Sequence, residues 1–412
     1  MKLFRLIFSS TLAIPIIMGS LVTTYSSDAE ATAAFARATG SKCNKCHTLS
    51  FPRLTPRGER FMRNGFQLEK EADIGDFGLS DDEPSDKKDK LLKEISDILS
   101  ITGDFEMLTY ADGDKTPTIA VPNSVSVMAT ATITKDIPYW VGIDVSGASV
   151  EIHRYLIGRT NLFGSKLFNI RMGTIDPTTW TSFYGHSGAL DSASSDVGAY
   201  GGGHHGGGAN FSQIGPGYGQ RNSIEYYGYT KHLFWSAGVG NGDSAAADDH
   251  TDDAAAHDHG TDNTGGGDSF DYWAVGRLDF GEGHSISGLF YKAFGASTAN
   301  AGTLSANFRF KNLDIKTQFT MDTQRILDGE DPAYGLTFQA DYQMHKKFMG
   351  VYRYDTTDNG ESGGVESQMT IALVYKPIQN IKMSAAFVSE LDAATSDSPF
   401  GNHGTINLHY MF

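Results

Sequence analysis

Only two cysteines occur in 412 residues, so the chain is neither a disulfide-stapled scaffold nor able to build a four-cysteine zinc site. Cations are scarce as well. Lys and Arg total 33 against 49 Asp and Glu, a formal net charge of −16. That balance would repel a phosphate backbone and excludes nucleic acid as a partner. Past residue 31 there is no run of about eighteen apolar residues, which excludes a bundle of membrane-spanning helices. The mean hydropathy of −0.29 agrees. No Ser-His-Asp set, phosphate-binding loop or carboxylate pair stands out to suggest hydrolysis. Glycine, in contrast, is abundant at 47 of 412, above the usual ~7%, and signals many turns.

Both cysteines fall in one run, Cys43-Asn44-Lys45-Cys46-His47. Cys-x-x-Cys-His is the attachment signature of covalent haem c. Each thiol can add to a haem vinyl group, and the adjacent His47 imidazole can then ligate iron axially. A plain disulfide and half of a zinc site are the alternatives. Zinc would need a second ligand pair, which is not nearby. One haem c is therefore expected, held by Cys43, Cys46 and His47. The N-terminus agrees with export. Lys2 and Arg5 precede an apolar stretch from Leu6 to Val22, interrupted by Pro15. Ala29-Glu30-Ala31 then offers a cleavage site, so residues 1–31 read as a signal peptide and Thr32 as the mature start.

From about Ser124 onward the chain alternates apolar and polar residues in segments about ten long. Leu313, Ile315, Phe319 and Met321 interleave with Asp314, Lys316, Gln318 and Thr320. Tyr334, Leu336, Phe338, Ala340 and Tyr342 interleave with Thr337, Gln339 and Asp341. Met369, Ile371, Leu373 and Tyr375 form a further apolar face. Successive side chains of a strand point to opposite faces, so each segment has a wet and a dry side. A soluble sandwich or a transmembrane antiparallel β-barrel would satisfy this. The barrel is favoured by the charged polar phase, by aromatics near segment ends, and by a last segment with Ile406, Leu408, Tyr410 and Phe412 on one face. Such an aromatic-ended strand suits the barrel insertion machinery. Closure also satisfies backbone groups in lipid. The expected fold is mainly β, with 14–16 strands and 16 favoured. A short α-helical monohaem segment over 32–70 and a linker over 71–118 precede the barrel at 119–412. Leu91–Ile101 reads as a short helix that could plug or line the barrel entrance, or serve as a solvated connector. Turns near Lys311, His345 and Pro377 read as periplasmic; 185–219 and 242–268 read as extracellular loops.

Phe35-Ala36-Arg37-Ala38-Thr39-Gly40, the Cys43–His47 run, Phe51-Pro52-Arg53-Leu54-Thr55-Pro56 and Asn64-Gly65-Phe66 resemble the fused outer-membrane monohaem cytochrome c–porins of iron-oxidising bacteria. The likeness is close in the N-terminal segment and architectural in the barrel. Gly58-Glu59-Arg60 departs from it, with the arginine one position late, and Met62 stands where lysine is common. The resemblance implies a bacterial outer-membrane protein of sixteen strands with its haem segment on the periplasmic side or in the lumen. It implies Fe(II) as electron donor, a periplasmic c-type cytochrome or other soluble carrier as acceptor, and a ferrous iron:cytochrome c oxidoreductase activity.

Two features have paired readings. Met62, fifteen residues after His47, is a candidate distal haem ligand or a packing residue beside Phe61 and Phe66; Met107 and His409 are rival ligands. His250, His257 and His259 lie among aspartates, with His204 and His205 in another glycine-rich loop. Such a loop could gather Fe(II) at the barrel mouth, or could be a solvated acidic loop. The whole chain reads as an outer-membrane electron conduit. A diffusion porin with a haem plug, or export of electrons to extracellular metal, are the alternatives.

Overall fold

In a computed structural model the chain is described at Phe35 and over residues 43–49, 53–67, 99–110, 118–134, 136–146, 149–182, 221–241, 270–281, 283–292, 300–322, 333–358, 365–378, 381–391 and 403–411. Two short helices come first, α1 (Cys43–Cys46) and α2 (Pro56–Arg63). Sixteen strands follow: β1 (Leu99–Tyr110), β2 (Thr118–Thr134), β3 (Ile137–Ser146), β4 (Ser149–Arg159), β5 (Asn169–Ile175), β6 (Arg221–Tyr229), β7 (Leu233–Asn241), β8 (Phe270–Phe280), β9 (His284–Lys292), β10 (Asn300–Arg309), β11 (Leu313–Asp322), β12 (Tyr334–His345), β13 (Phe348–Asp358), β14 (Val365–Ile378), β15 (Ile381–Glu390) and β16 (His403–Met411). Every strand pairs antiparallel with its sequence neighbour. β1 also pairs with β16, so the sheet closes without an edge. The favoured count of sixteen holds.

The two-residue period sets which side chains face where. In β11 and β12 the polar phase is buried and turned inward: Lys316, Gln318, Thr320, Thr337, Gln339 and Asp341. The apolar phase, with Phe319, Leu336 and Tyr342, forms an exposed outer belt. Tight connections at 230–232, 281–283, 310–312, 346–347 and 379–380 lie at one end, which includes the three expected turns. The long stretches at 183–220 and 242–269 join strands at the other end and lie outside the described residues.

The barrel begins earlier than expected. β1 starts at Leu99, inside the region assigned to the linker and overlapping the stretch read as a helix. Ser100 and Thr102 are buried, whereas Ile101 is exposed, which is the strand period rather than the helix period. Their partners explain the choice: β1 must bridge β2 and β16 for the cylinder to close. Residues 91–98 lie outside the described residues.

Among the described residues, the connection after β5 enters the lumen. β5 is only seven residues long, and at Asp176 the chain leaves the wall. The Asp176 Oδ1 accepts from the Thr178 amide at 2.8 Å and caps a 3-10 turn over Pro177–Trp180. Proline at the first helical position suits that turn. Trp180 is then buried against Tyr227 and Phe234 of the inner wall, its ring centroid 4.3 Å from that of Phe234. The Ser182 amide donates to Ser305 Oγ of β10 at 3.1 Å, so the segment reaches across from β5.

Candidate functional site

The Cys-x-x-Cys-His motif occupies α1 and the residue after it. His47 pairs with Leu54 as an isolated antiparallel bridge, and the Thr48 amide donates to the Arg53 carbonyl at 2.9 Å. Thr55 ties the motif to α2. Its amide donates to the Cys46 carbonyl at 2.8 Å and its hydroxyl to the Lys45 carbonyl at 2.7 Å. The same hydroxyl oxygen accepts from the Gly58 amide at 3.2 Å as the N-cap of α2. Gly58 lies so close that a Cβ there would overlap the Cys46 carbonyl oxygen. The Cys46 side chain is partly buried, and the Cys43 side chain lies outside the described atoms. A thiol followed at once by an imidazole, on a turn braced by α2, is a donor set that fits covalent haem.

This unit sits inside the barrel at the tight-turn end, held by a clasp of charges. Arg53 Nε donates to Asp314 Oδ2 of β11 at 2.6 Å, and its Nη2 to Asn307 Oδ1 of β10 at 2.7 Å. Arg63 Nη1 donates to Asp279 Oδ2 of β8 at 2.7 Å. Arg277 Nη2 returns a bond to Glu59 Oε2 at 2.5 Å. Arg309 Nη2 donates to the Leu54 carbonyl at 3.3 Å. From β6, the Tyr227 hydroxyl donates to the Arg63 carbonyl at 3.1 Å and the Tyr229 hydroxyl to Asn64 Oδ1 at 3.0 Å. Arg53 and Arg63 are 4% and 3% exposed; at that burial a broken pair costs about 3 kcal/mol or more, because the remaining charge stays desolvated.

Apolar contacts complete the seat. Phe35 meets Phe61 edge-on at 4.9 Å and stacks on Phe66 at 5.1 Å, and Phe66 meets Trp140 of β3 at 6.3 Å. α2 is followed, past its C-cap Asn64, by Gly65 in the left-handed region, φ 66°. A Cβ at Gly65 would come within 2.7 Å of Thr160 and 2.9 Å of Pro138, so only glycine closes the helix against that wall. Met62 packs against the inner-wall cluster that includes Ile175, Trp180, Tyr227 and Phe234. Leu49 packs on a second cluster, Met349, Val351, Ala372, Val374, Ala386 and Val388 of β13–β15. The segment thus crosses the lumen from β13–β15 to β3. The inward 3-10 turn touches it: the Arg63 guanidinium lies 5.8 Å from the Trp180 ring and 5.0 Å from that of Phe234.

The structure brings Cys46, His47 and Met62 into one small unit, with Met62 turned to the wall. Met62→Ala should weaken docking of the segment by about 2 kcal/mol, as loss of a partly buried thioether does. Chemical unfolding of the segment would register that, and a change in the visible haem spectrum would instead assign the sulfur to iron. His409 lies on β16 in the inward phase of Thr405, paired across to Lys382. The Met107 side chain, and His204, His205, His250, His257 and His259, lie outside the described residues. Among the described residues no three His, Cys, Asp or Glu side chains converge as a metal site. The sequence reading did not single out the clasp. Its one signal was the placement of Arg277 and Asp279 two residues apart in a strand whose only other charged residue is Asp271.

No family model matches the chain. No curated protein matches it either. Solved structures do. A Salmonella typhi OmpF complex with daunomycin aligns with TM-score 0.53 at 10% identity, over 76% of this chain and 97% of that one. An anion-selective porin from Comamonas acidovorans gives 0.50 at 11%, over 76% and 98%. Pseudomonas putida OprB at high pH gives 0.53 at 9%, over 76% and 93%. At such identities the likeness is one of fold, and the fold of this chain is that of a porin-like, sixteen-stranded closed barrel.

Proposed function

We propose that this chain is an outer-membrane cytochrome–porin fusion that takes electrons from extracellular Fe(II) and passes them to a soluble periplasmic carrier. Haem c would be attached at Cys43 and Cys46, with His47 as its proximal ligand. The observation that carries this reading is the clasp: the motif-bearing segment is built into the lumen wall instead of hanging outside it. An outer belt with Phe270, Tyr272, Phe290, Leu304 and Phe348 exposed is a surface for lipid, and short turns at one end with long loops at the other are the asymmetry of outer-membrane barrels.

Bound at this motif, haem c supplies a one-electron couple whose potential follows its axial ligands and surroundings. The chain's own residues do the rest. Arg53, Glu59 and Arg63 fix the segment against Asp314, Arg277 and Asp279. Trp180 and its 3-10 turn cover it from within the lumen. Each Fe(II) gives up one electron and stays outside as Fe(III), and the carrier takes up one electron. Ferric precipitate therefore never needs to pass the membrane. The aspartates and histidines between 242 and 269 concentrate the divalent donor. The porin-like fold favours a second reading, a diffusion channel in which the segment is only a plug.

Stopped-flow mixing of purified, oxidised protein with anaerobic Fe(II) separates the two. Growth of the reduced haem bands is expected. Deleting 245–260 should raise the apparent KM for Fe(II) about three- to tenfold while kcat holds, as expected when a group that only gathers substrate is lost. Bands that ignore Fe(II), together with steady ion conductance in planar bilayers, would favour the channel.

A further inference from the structure

We propose that the tight-turn rim of the barrel is a docking surface for an acidic soluble protein, a redox carrier if the reading above holds. Lys231, Lys311, Lys346 and Lys347 are all exposed there. Each lies beyond the last ladder pair of its hairpin: Tyr229↔Phe234, Arg309↔Asp314 and His345↔Phe348. Adjacent turns sit two strands apart, about 10 Å along the rim. From the β6–β7 turn to the β12–β13 turn the cationic arc therefore runs about 30 Å, the width of a small protein's contact face. The intervening β8–β9 turn contributes one carboxylate in sequence, Glu282.

The arc is not placed at random. The clasp draws its wall residues from β6, β8, β10 and β11, so the lysines fringe the same part of the wall that holds the motif-bearing segment. A chain of net charge −16 repels an acidic partner over most of its surface. The far end is the extreme, with eight aspartates and no lysine or arginine between 242 and 269. Cations within a Debye length of the mouth, about 8–10 Å, would steer an acidic protein to this end alone. Lipid phosphate is the rival ligand for basic residues at such a level. Arg159 fits that role, since it shares the outward phase of Tyr155 and Ile157 on β4. The turn lysines instead lie past the ends of the ladders.

The test uses the full-length, haem-loaded protein in nanodiscs of zwitterionic lipid. Its probes are an acidic soluble blue-copper protein and, as control, a basic soluble c-type cytochrome. At low salt the acidic probe should bind at least about tenfold more tightly than the basic one, with affinity falling as salt rises. The variant K231Q/K311Q/K346Q/K347Q should lose about tenfold of that affinity. Equal binding of both probes, or an unchanged variant, would overturn the docking surface. So would a variant that alters only retention of anionic phospholipid, which would assign the lysines to headgroups. Because the readout is binding, failure of Fe(II) to reduce the haem would defeat the conduit reading and leave this result standing.

Discussion

Deleting residues 32–67 should turn a nearly silent barrel into an open one. Sixteen strands enclose a lumen too wide for the wall's own side chains to fill. In this chain the space at the tight-turn end is crossed by the clasped segment, from Leu49 on β13–β15 to Gly65 on β3–β4. Single-channel recordings in planar bilayers should show conductance rising at least about tenfold on deletion, since barrels of this size otherwise form aqueous channels. The pair R53E/R63E should do part of the same without shortening the chain. Each substitution sets a carboxylate against Asp314 or Asp279, which turns attraction into repulsion inside a desolvated wall. The barrel itself should survive both changes, because its hydrogen bonds run strand to strand. Equal conductance before and after deletion would mean that the segment does not obstruct flow.

If Cys43 and Cys46 carry haem c as proposed, replacing both by serine should abolish its covalent attachment altogether. A pyridine haemochrome assay on denatured, washed protein reads this directly, and retained porphyrin would overturn the assignment. A second effect should accompany it. Among the described residues, the motif and α2 have little interior of their own: Phe35, Phe61 and Phe66 supply their mutual aromatic contacts. A unit this small needs a staple or a cofactor to hold a fold. Without the porphyrin, residues 43–67 should be cut by protease several-fold faster, while the barrel keeps its resistance.

How much of this was legible in the sequence depended on which face of each strand was wet. β11 and β12 have a polar inner phase and an apolar outer phase, so the period of two was plain. β8 is different. Trp273 and Val275 point inward among apolar partners while Tyr272 and Ala274 point outward. The inward phase mixes Trp273 and Val275 with Asp271 and Arg277, so polarity no longer marks the inner face and the alternation fades. The reason lies in the contents of the lumen. β6–β10 face Trp180 and Met62 rather than water. The start at Leu99 was hidden for a related reason, as three residues at its head fit either period. The motif was readable because its chemistry is local, whereas the clasp joins residues 164 to 261 positions apart, the widest pair being Arg53 and Asp314. No spacing rule connects them, and only the closed topology does.

The seam between β1 and β16 fixes an order of manufacture. The first strand of the wall can meet the last only when the whole chain has been delivered, and from that moment the clasped segment is enclosed within the cylinder. If Cys43 and Cys46 carry porphyrin as proposed, the enzyme that stitches it on has its widest access beforehand, on an open chain, before the wall rolls shut, like a ship rigged before its bottle is blown.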